Sequence, residues 1–481
     1  MFIDSRNLFN ILRKSSRYKW LILHRGIKKR LFKGSSQLTS EGALKTLTYE
    51  NQYTRLSAIV EPYWRMPYDK QLLIKKRNVE QSLQRVYNSI VQNKRMNIED
   101  NNITRTMKEI FDGKMCLVKD VIPSPVIKGF RNKDLFAFGP DKGGDHRTLG
   151  YIMGRSDNNT LICIRGDFVN ITKDKHKEVS KVLQEFIYQS KYDTWSYVNR
   201  HGNWKNITIR STWDGQVMVI FYFNPQKNSK EFIDGAKNEI IQYFIHGPGQ
   251  HLEIASIYFQ SSRYREPSIV DPFELLHGTP YLTETILDLK FQISPLSFFQ
   301  GNVPCAELLY TTALDIGNVG PSTVVLDICC GTGTIGIIAA KRAKKVIGVE
   351  ILSQAVEDAK VNAQINGITN AEFVCNKAHR TIRDLVNSNN FEDENDVVAF
   401  LNPGRAGCNK ILIESIRNCP KIKKIVYISC KPAGNVLTNF IDLIIPKDVE
   451  FFGEPFKPVV AIPVDMFPQT VHCEVIFYLE R

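Results

Sequence analysis

Val324-Val325-Leu326-Asp327-Ile328-Cys329-Cys330-Gly331-Thr332-Gly333-Thr334 is the stretch on which the fold turns. An apolar run carrying one acid and ending in closely spaced glycines predicts a buried strand, a tight turn and then a helix. The chain beyond it repeats the pattern. Val324 to Cys329, Lys345 to Glu350, Glu372 to Asn376, Val397 to Asn402, Lys424 to Cys430 and Cys473 to Leu479 read as strands. Ile335 to Arg342, Ser353 to Asn366, Arg380 to Asn387, Asn409 to Asn418 and Asn435 to Leu443 read as the helices between them. Strands apolar on both faces and separated by crossover helices predict a parallel sheet covered on both sides. Residues 291–481 are therefore expected to form a doubly wound, Rossmann-like α/β domain.

Upstream the texture changes. From Pro123 onward, Pro and Gly punctuate short strand-like runs at Ala137 to Pro140, Tyr151 to Gly154 and Leu161 to Gly166. Asn206 to Thr212 and Gln216 to Phe223 alternate around Asp214-Gly215, which predicts a hairpin. Residues 116–290 thus read as an α+β domain. Residues 36–115 read as a helical, charged region, with an amphipathic stretch from Val79 to Lys94 carrying Leu83, Val86, Tyr87, Ile90 and Val91, and no residue there is assigned chemistry.

The net charge of +13 over 481 residues is concentrated at one end. Met1 to Gly34 holds ten Lys or Arg and one acid, a local +9, which leaves +4 for everything else. The body is only mildly basic, so pI alone argues weakly for nucleic-acid binding. Residues 1–35, rich in Arg and Lys, nearly free of acids and dotted with Ser, read as a mitochondrial presequence and predict a matrix location; the alternative is a disordered basic arm. No apolar run approaches the roughly 18 residues of a membrane-spanning helix, so no membrane partner is expected. None of the ten cysteines has C-x-x-C spacing, which argues against a zinc ribbon or a Cys-ligated cluster. No metal is expected.

In a doubly wound sheet, ligands bind beyond the carboxyl ends of the strands. Gly331 and Gly333 let backbone approach a ligand closely, which fits a dinucleotide, S-adenosylmethionine (SAM) or a plain turn. Glu350 ends the second strand, where a carboxylate can accept both hydroxyls of a ribose, and no P-loop Lys-Ser/Thr follows the turn. SAM is the cofactor these features fit best. A cysteine, Cys430, ends the fifth strand and faces the same cleft. Exocyclic amines take a methyl group directly, but C5 of a pyrimidine must first be activated by a thiolate adding at C6. A base then removes the C5 proton. Glu474 is a candidate base, or else a structural carboxylate. Asn402-Pro403-Gly404-Arg405 puts Arg405 where amino methyltransferases often carry an aromatic, which disfavours amine methylation.

Ile293-Ser294-Pro295 with Phe298-Phe299-Gln300-Gly301-Asn302, the Asp327 to Thr334 loop, Asn402 to Gly407, Ser429-Cys430-Lys431-Pro432 and Val464 to Glu474 together resemble the RNA (uracil-5-)-methyltransferase family. Gly129 to Lys133 and Tyr222 to Gln226 resemble the central RNA-binding region of its eukaryotic tRNA branch, and the basic leader resembles the mitochondrial type. The resemblance implies an RNA-binding domain ahead of a SAM-dependent catalytic domain, making 5-methyluridine in the T arm of tRNA. It implies Cys430 as nucleophile, Glu474 as proton acceptor, and Gln300, Cys329, Gly331, Gly333, Thr334, Glu350 and Asn402 as SAM-contacting positions. Asn402-Pro403-Gly404-Arg405 departs from the family's Asp-Pro-Pro-Arg by losing a charge, and Cys329 replaces a frequent aromatic. Lys128, Arg131, Lys133, Trp204, Arg210 and Trp213 supply cations and rings suited to RNA. The target uridine is expected to be extruded into the cleft. Two other readings stay open: methylation of mitochondrial rRNA, and an RNA-binding assembly factor with little turnover. A monomer is expected.

Overall fold

The computed structural model describes residues 47–92, 114–154, 161–263, 271–387, 396–431, 435–445, 447 and 451–481. The expected presequence lies outside them. The alternating pattern from Val324 produces β11 (Val324–Ile328), β12 (Lys345–Glu350), β13 (Ala371–Cys375), β14 (Val397–Leu401) and β15 (Ile422–Ser429). They are joined through α6 (Thr334–Ala340), α7 (Ser353–Ile365), α8 (Ala378–Asn387) and α9 (Lys410–Asn418), and α10 (Asn435–Ile444) follows β15. These five strands pair in parallel in the order β15-β14-β11-β12-β13. The chain starts at β11, winds out to β13 and returns to β14 on the other side. The reversal falls between β11 and β14, and a cleft opens at their carboxyl ends.

The sheet is mixed rather than wholly parallel. β17 (Glu474–Glu480) runs antiparallel to β15, and a strand absent from the sequence reading, β16 (Lys457–Val464), runs antiparallel to β17. A two-residue strand, β1 (Leu117–Val118), closes the edge in parallel with β16. Pro458 and Pro463 break the β signal of β16, since proline supplies no ladder donor.

A second sheet has seven strands: β2 (Lys133–Gly139), β3 (Thr148–Met153), β4 (Ile162–Ile164), β5 (Trp204–Ser211), β6 (Val217–Phe223), β7 (Ser256–Ser261) and β8 (Glu274–Gly278). Their order is β4-β3-β2-β5-β6-β7-β8, and only β6 and β7 are parallel, linked by α4 (Lys230–Phe244). β5 and β6 form the expected hairpin, and Gly215 adopts φ +100° in its turn. One face of this sheet is covered by α3 (Asp174–Gln189) and α4, whose Leu183, Phe186, Ile240 and Phe244 pack on Ile207, Phe221 and Trp204. The other face, through Met218, Ile220 and Tyr222, joins an apolar core with the hairpin β9 (Leu282–Ile286) and β10 (Leu289–Ile293), with α5 (Val303–Ile316) and with α6. Apolar burial is thus continuous between the two sheets.

Upstream, α1 (Gln52–Val60) and α2 (Tyr68–Gln92) form from the charged region. The amphipathic stretch belongs to α2, and its Val79, Leu83 and Val86 are buried in the core on the other face of the eight-stranded sheet. No helix among the described residues is long and apolar enough to cross a membrane.

Candidate active site

β11 delivers Asp327 to the cofactor end of the sheet. One carboxylate oxygen accepts the Gly336 amide at 2.8 Å, whereas Oδ1 is buried with no hydrogen-bond partner. Burial, with Glu350 nearby, raises this carboxyl to about 7. The turn that follows is left-handed at Cys329 (φ +63°), Gly331 (φ +58°) and Gly333 (φ +79°), where glycine is unstrained and cysteine is not. Gly333 is the N-cap of α6, and a Cβ there would stand 2.9 Å from both Ala359 and Phe373. Thr334 opens α6, buried, with its hydroxyl 3.5 Å from that of Thr332.

Glu350 ends β12 with its carboxylate accepting amides from Gly331 at 3.3 Å and Ile351 at 2.9 Å. Asn402, just past β14, places its amide 3.4 Å from the Ile328 carbonyl. Cys329, Gly331, Gly333, Thr334, Glu350 and Asn402 therefore gather at one edge of the sheet. The unpartnered acceptor on Asp327, the open backbone at Gly331 and the carboxylate of Glu350 fit the amino-acid and ribose ends of SAM. Gly336 completes a Gly-x-Gly-x-x-Gly spacing with Gly331 and Gly333, so the glycines alone do not separate SAM from a dinucleotide. A Cβ at Gly336 would sit 3.0 Å from Asp327 Oδ2, so its smallness serves the contact between helix and strand.

Cys430 follows the last residue of β15, half-buried. Ser429 pairs with Val475, so continuing the antiparallel register brings Cys430 opposite Glu474. This is why the reversal of β17 matters. In a parallel strand of seven residues Glu474 would stand roughly 20 Å away, at the far edge of the sheet. Burial and the neighbouring Glu474 push the Cys430 thiol up to about 12, while Arg405 opposes this through its charge and a hydrogen bond to the sulfur. Burial raises Glu474 to about 8 against the same guanidinium. His472 is lowered to about 4 by burial and then by Arg405, Lys75 and Lys431, so it is neutral at pH 7.

Gln300 is buried on the segment leading into α5 and hydrogen-bonds the Tyr310 hydroxyl, which also feels Glu474 and Asp327. Its carbonyl accepts from Asn132 Nδ2 at 2.7 Å, tying it to the seven-stranded sheet. Asn302 caps α5 through Cys305 N. Arg405, Asp327, Tyr310 and His472 thus join the site beyond the residues assigned from sequence. Arg405 and Asp327 were visible within the motifs, but Tyr310 sits mid-helix with nothing in the sequence to mark it.

The side chains assigned to RNA divide. Trp213 is 45 % exposed, with Lys173 Nζ 5.1 Å from its ring centroid. Lys128 and Lys133 are exposed, and Lys133 lies directly across the β2–β5 ladder from Arg210. Arg131 is partly exposed and its Nε lies 3.1 Å from Asp134. Two assignments are corrected. Trp204 is wholly buried, its indole donating to Ser190 Oγ at 2.9 Å and packing edge-on against Phe223, so it is a core ring. Arg210 is also buried, donating to the Ser294 carbonyl at 2.8 Å and so fastening the seven-stranded sheet to the segment that follows β10.

A family model described as "Methyltransferase domain" matches residues 320–442, which span β11 to α10. The chain is 37% identical over 430 residues to tRNA (uracil-5-)-methyltransferase homolog B of Homo sapiens, covering 89% of this chain and 84% of that protein. The chain belongs to the tRNA (uracil-5-)-methyltransferase family. The homolog A protein of Mus musculus is 36% identical, over 90% of this chain and 70% of its own length. Among solved structures, the Pyrococcus abyssi tRNA (uracil-54, C5)-methyltransferase in complex with S-adenosyl-L-homocysteine superposes with a TM-score of 0.60 at 23% identity, covering 86% of this chain and 83% of that one. That likeness shows a shared fold. Membership of the uracil-5-methyltransferase family makes this chain a SAM-dependent enzyme.

Proposed function

We propose that this chain methylates C5 of a uridine in the T arm of mitochondrial tRNA, with Cys430 as nucleophile and Glu474 as base. The Cys430 thiolate bonds to C6 of uracil, and the C5–C6 π pair moves toward O4, making C5 a nucleophilic enolate carbon. Bound SAM supplies the electrophilic methyl group that C5 takes. Glu474 then removes the C5 proton, the C5–C6 double bond re-forms, and the C6–S bond breaks with its electron pair returning to sulfur. Arg405 is the counter-charge that favours thiolate in a pocket that otherwise disfavours it.

The observation that carries this reading is the placement of Cys430 across the β15–β17 ladder from Glu474, at the same edge as the cofactor turn. The exposed Trp213, Lys133 and Lys128 support RNA binding. The basic leader and the 37% identity to a protein named for tRNA uracil methylation support the tRNA and mitochondrial assignments. The test is incubation of the purified chain with SAM and a mitochondrial tRNA transcript, followed by nucleoside analysis. Expected is 5-methyluridine in the T arm with the wild type and none with Cys430→Ser. Methyl groups on a base amine, or equal product from Cys430→Ser, contradict the proposal.

A further inference from the structure

The region before the seven-stranded sheet was assigned no chemistry, yet it carries three fully buried polar side chains. Glu61, at the end of α1, accepts the Asn170 amide at 2.9 Å, the Asn170 side chain at 2.9 Å and the Ile171 amide at 3.3 Å. Gln71, in the first turn of α2, exchanges hydrogen bonds with Gln469, its Nε2 donating to Gln469 Oε1 at 2.9 Å and its Oε1 accepting the Gln469 amide at 2.9 Å. Lys75, one turn on, is paired at 2.5 Å with Asp465, both side chains wholly buried, and also donates to the Phe467 carbonyl at 2.9 Å. A charged helix lying on a surface does not bury its lysine.

These bonds converge on one piece of chain. Val464, the last residue of β16, faces Glu474, the first of β17, so residues 465–473 form the connection at whose mouth Glu474 sits. α2 grips that connection at 465, 467 and 469. From the opposite side, Asn302 Nδ2 reaches the Met466 carbonyl at 3.4 Å and Cys305 Sγ the Asp465 carbonyl at 3.3 Å. The bonds that Gln71 and Lys75 make beyond the N-terminal region go to residues 465–469, not to the end of β15, after which Cys430 follows. We infer that α2 is a positioning element for the catalytic carboxyl group: Gln71 and Lys75 hold the 465–473 connection so that Glu474 meets the C5 proton, without acting on the attack by Cys430. This rests on the roles proposed above for Cys430 and Glu474.

The two halves of the reaction separate experimentally. With tRNA containing 5-fluorouridine and SAM, attack and methyl transfer proceed but fluorine cannot leave as a proton, so the covalent adduct reports the steps before Glu474 acts. With tRNA carrying tritium at C5 of uridine, tritium release reports the step Glu474 performs. For full-length Gln71→Leu and Lys75→Met, adduct yield within twofold of wild type and tritium release slowed tenfold or more are expected, with a protein–RNA adduct accumulating on ordinary tRNA. Lys75→Met leaves Asp465 buried without its partner and can fail to fold, whereas Gln71→Leu removes only neutral hydrogen bonds, so the pair keeps the test decisive. Equal losses in both assays, or no loss in either, overturn the inference. If wild type forms no adduct, the failure lies with the proposed chemistry and not with α2.

Discussion

Cys430 and Glu474 illustrate how a site can oppose its own charges until substrate arrives. At rest the sulfur is a neutral thiol, held up to about 12, and Glu474 titrates near 8, so in single-turnover assays on 5-tritiated uridine, release should rise steeply with pH below about 8 and less steeply, but still upward, above it. The same shift affects stability. The folded chain keeps the Glu474 proton up to about 8, while the unfolded chain releases it near 4.5. Between those values the folded state binds more protons, so stability falls as pH rises. Glu474→Gln lacks this penalty: its melting temperature should match wild type near pH 4.5 and exceed it by a few degrees at pH 8.5, while turnover is lost. A lower melting temperature at pH 8.5 would show that the carboxylate is stabilised by partners instead. The two motif residues, Cys430 and Glu474, were readable from sequence because each stands at a strand end. Lys75 and Gln71 were not, because polar residues on a helix read as a solvated face until partners some 390 residues away are known.

Strand by strand, the pattern from Val324 to Ser429 was legible because parallel strands buried on both faces leave long apolar runs between helices. Direction was not. Glu474 to Glu480 is as apolar as its parallel neighbours, and only its pairing with β15 reveals that it runs the other way, after the proline-interrupted β16 has carried the chain back. Trp204 misled for a related reason: alternation marks which side chains share a face of a strand, but not which face is covered by helices. Trp204→Ala should therefore lower stability by about 3–5 kcal/mol through the cavity it leaves, seen in urea unfolding. Unchanged stability would return this ring to the surface. At the cofactor turn, Gly333→Ala places a methyl 2.9 Å from Ala359 and Phe373 in a left-handed residue, so SAM affinity measured by calorimetry should fall tenfold or more. Binding within twofold of wild type would show that the turn can relax around the methyl.

Across the whole molecule, the seven-stranded sheet, the methyltransferase sheet and the N-terminal helices are fastened by buried polar contacts at Arg210, Asn132, Glu61 and Lys75 and by a continuous apolar core. Under the proposed function, a tRNA held on the seven-stranded sheet would present an extruded uridine to the cleft of the other. Trp213 is an exposed ring that, under the proposed function, stacks on RNA, so Trp213→Ala should weaken tRNA binding by about 1–3 kcal/mol in filter-binding assays with SAM affinity unchanged. Unaltered tRNA affinity would remove Trp213 from the RNA surface. The measurement that reaches furthest needs every part at once: intact chain, SAM and 5-fluorouridine tRNA, resolved on a denaturing gel. A stable protein–RNA band with wild type that vanishes in Cys430→Ala is the predicted result; a band of equal strength in both, or in neither, contradicts covalent catalysis through this cysteine.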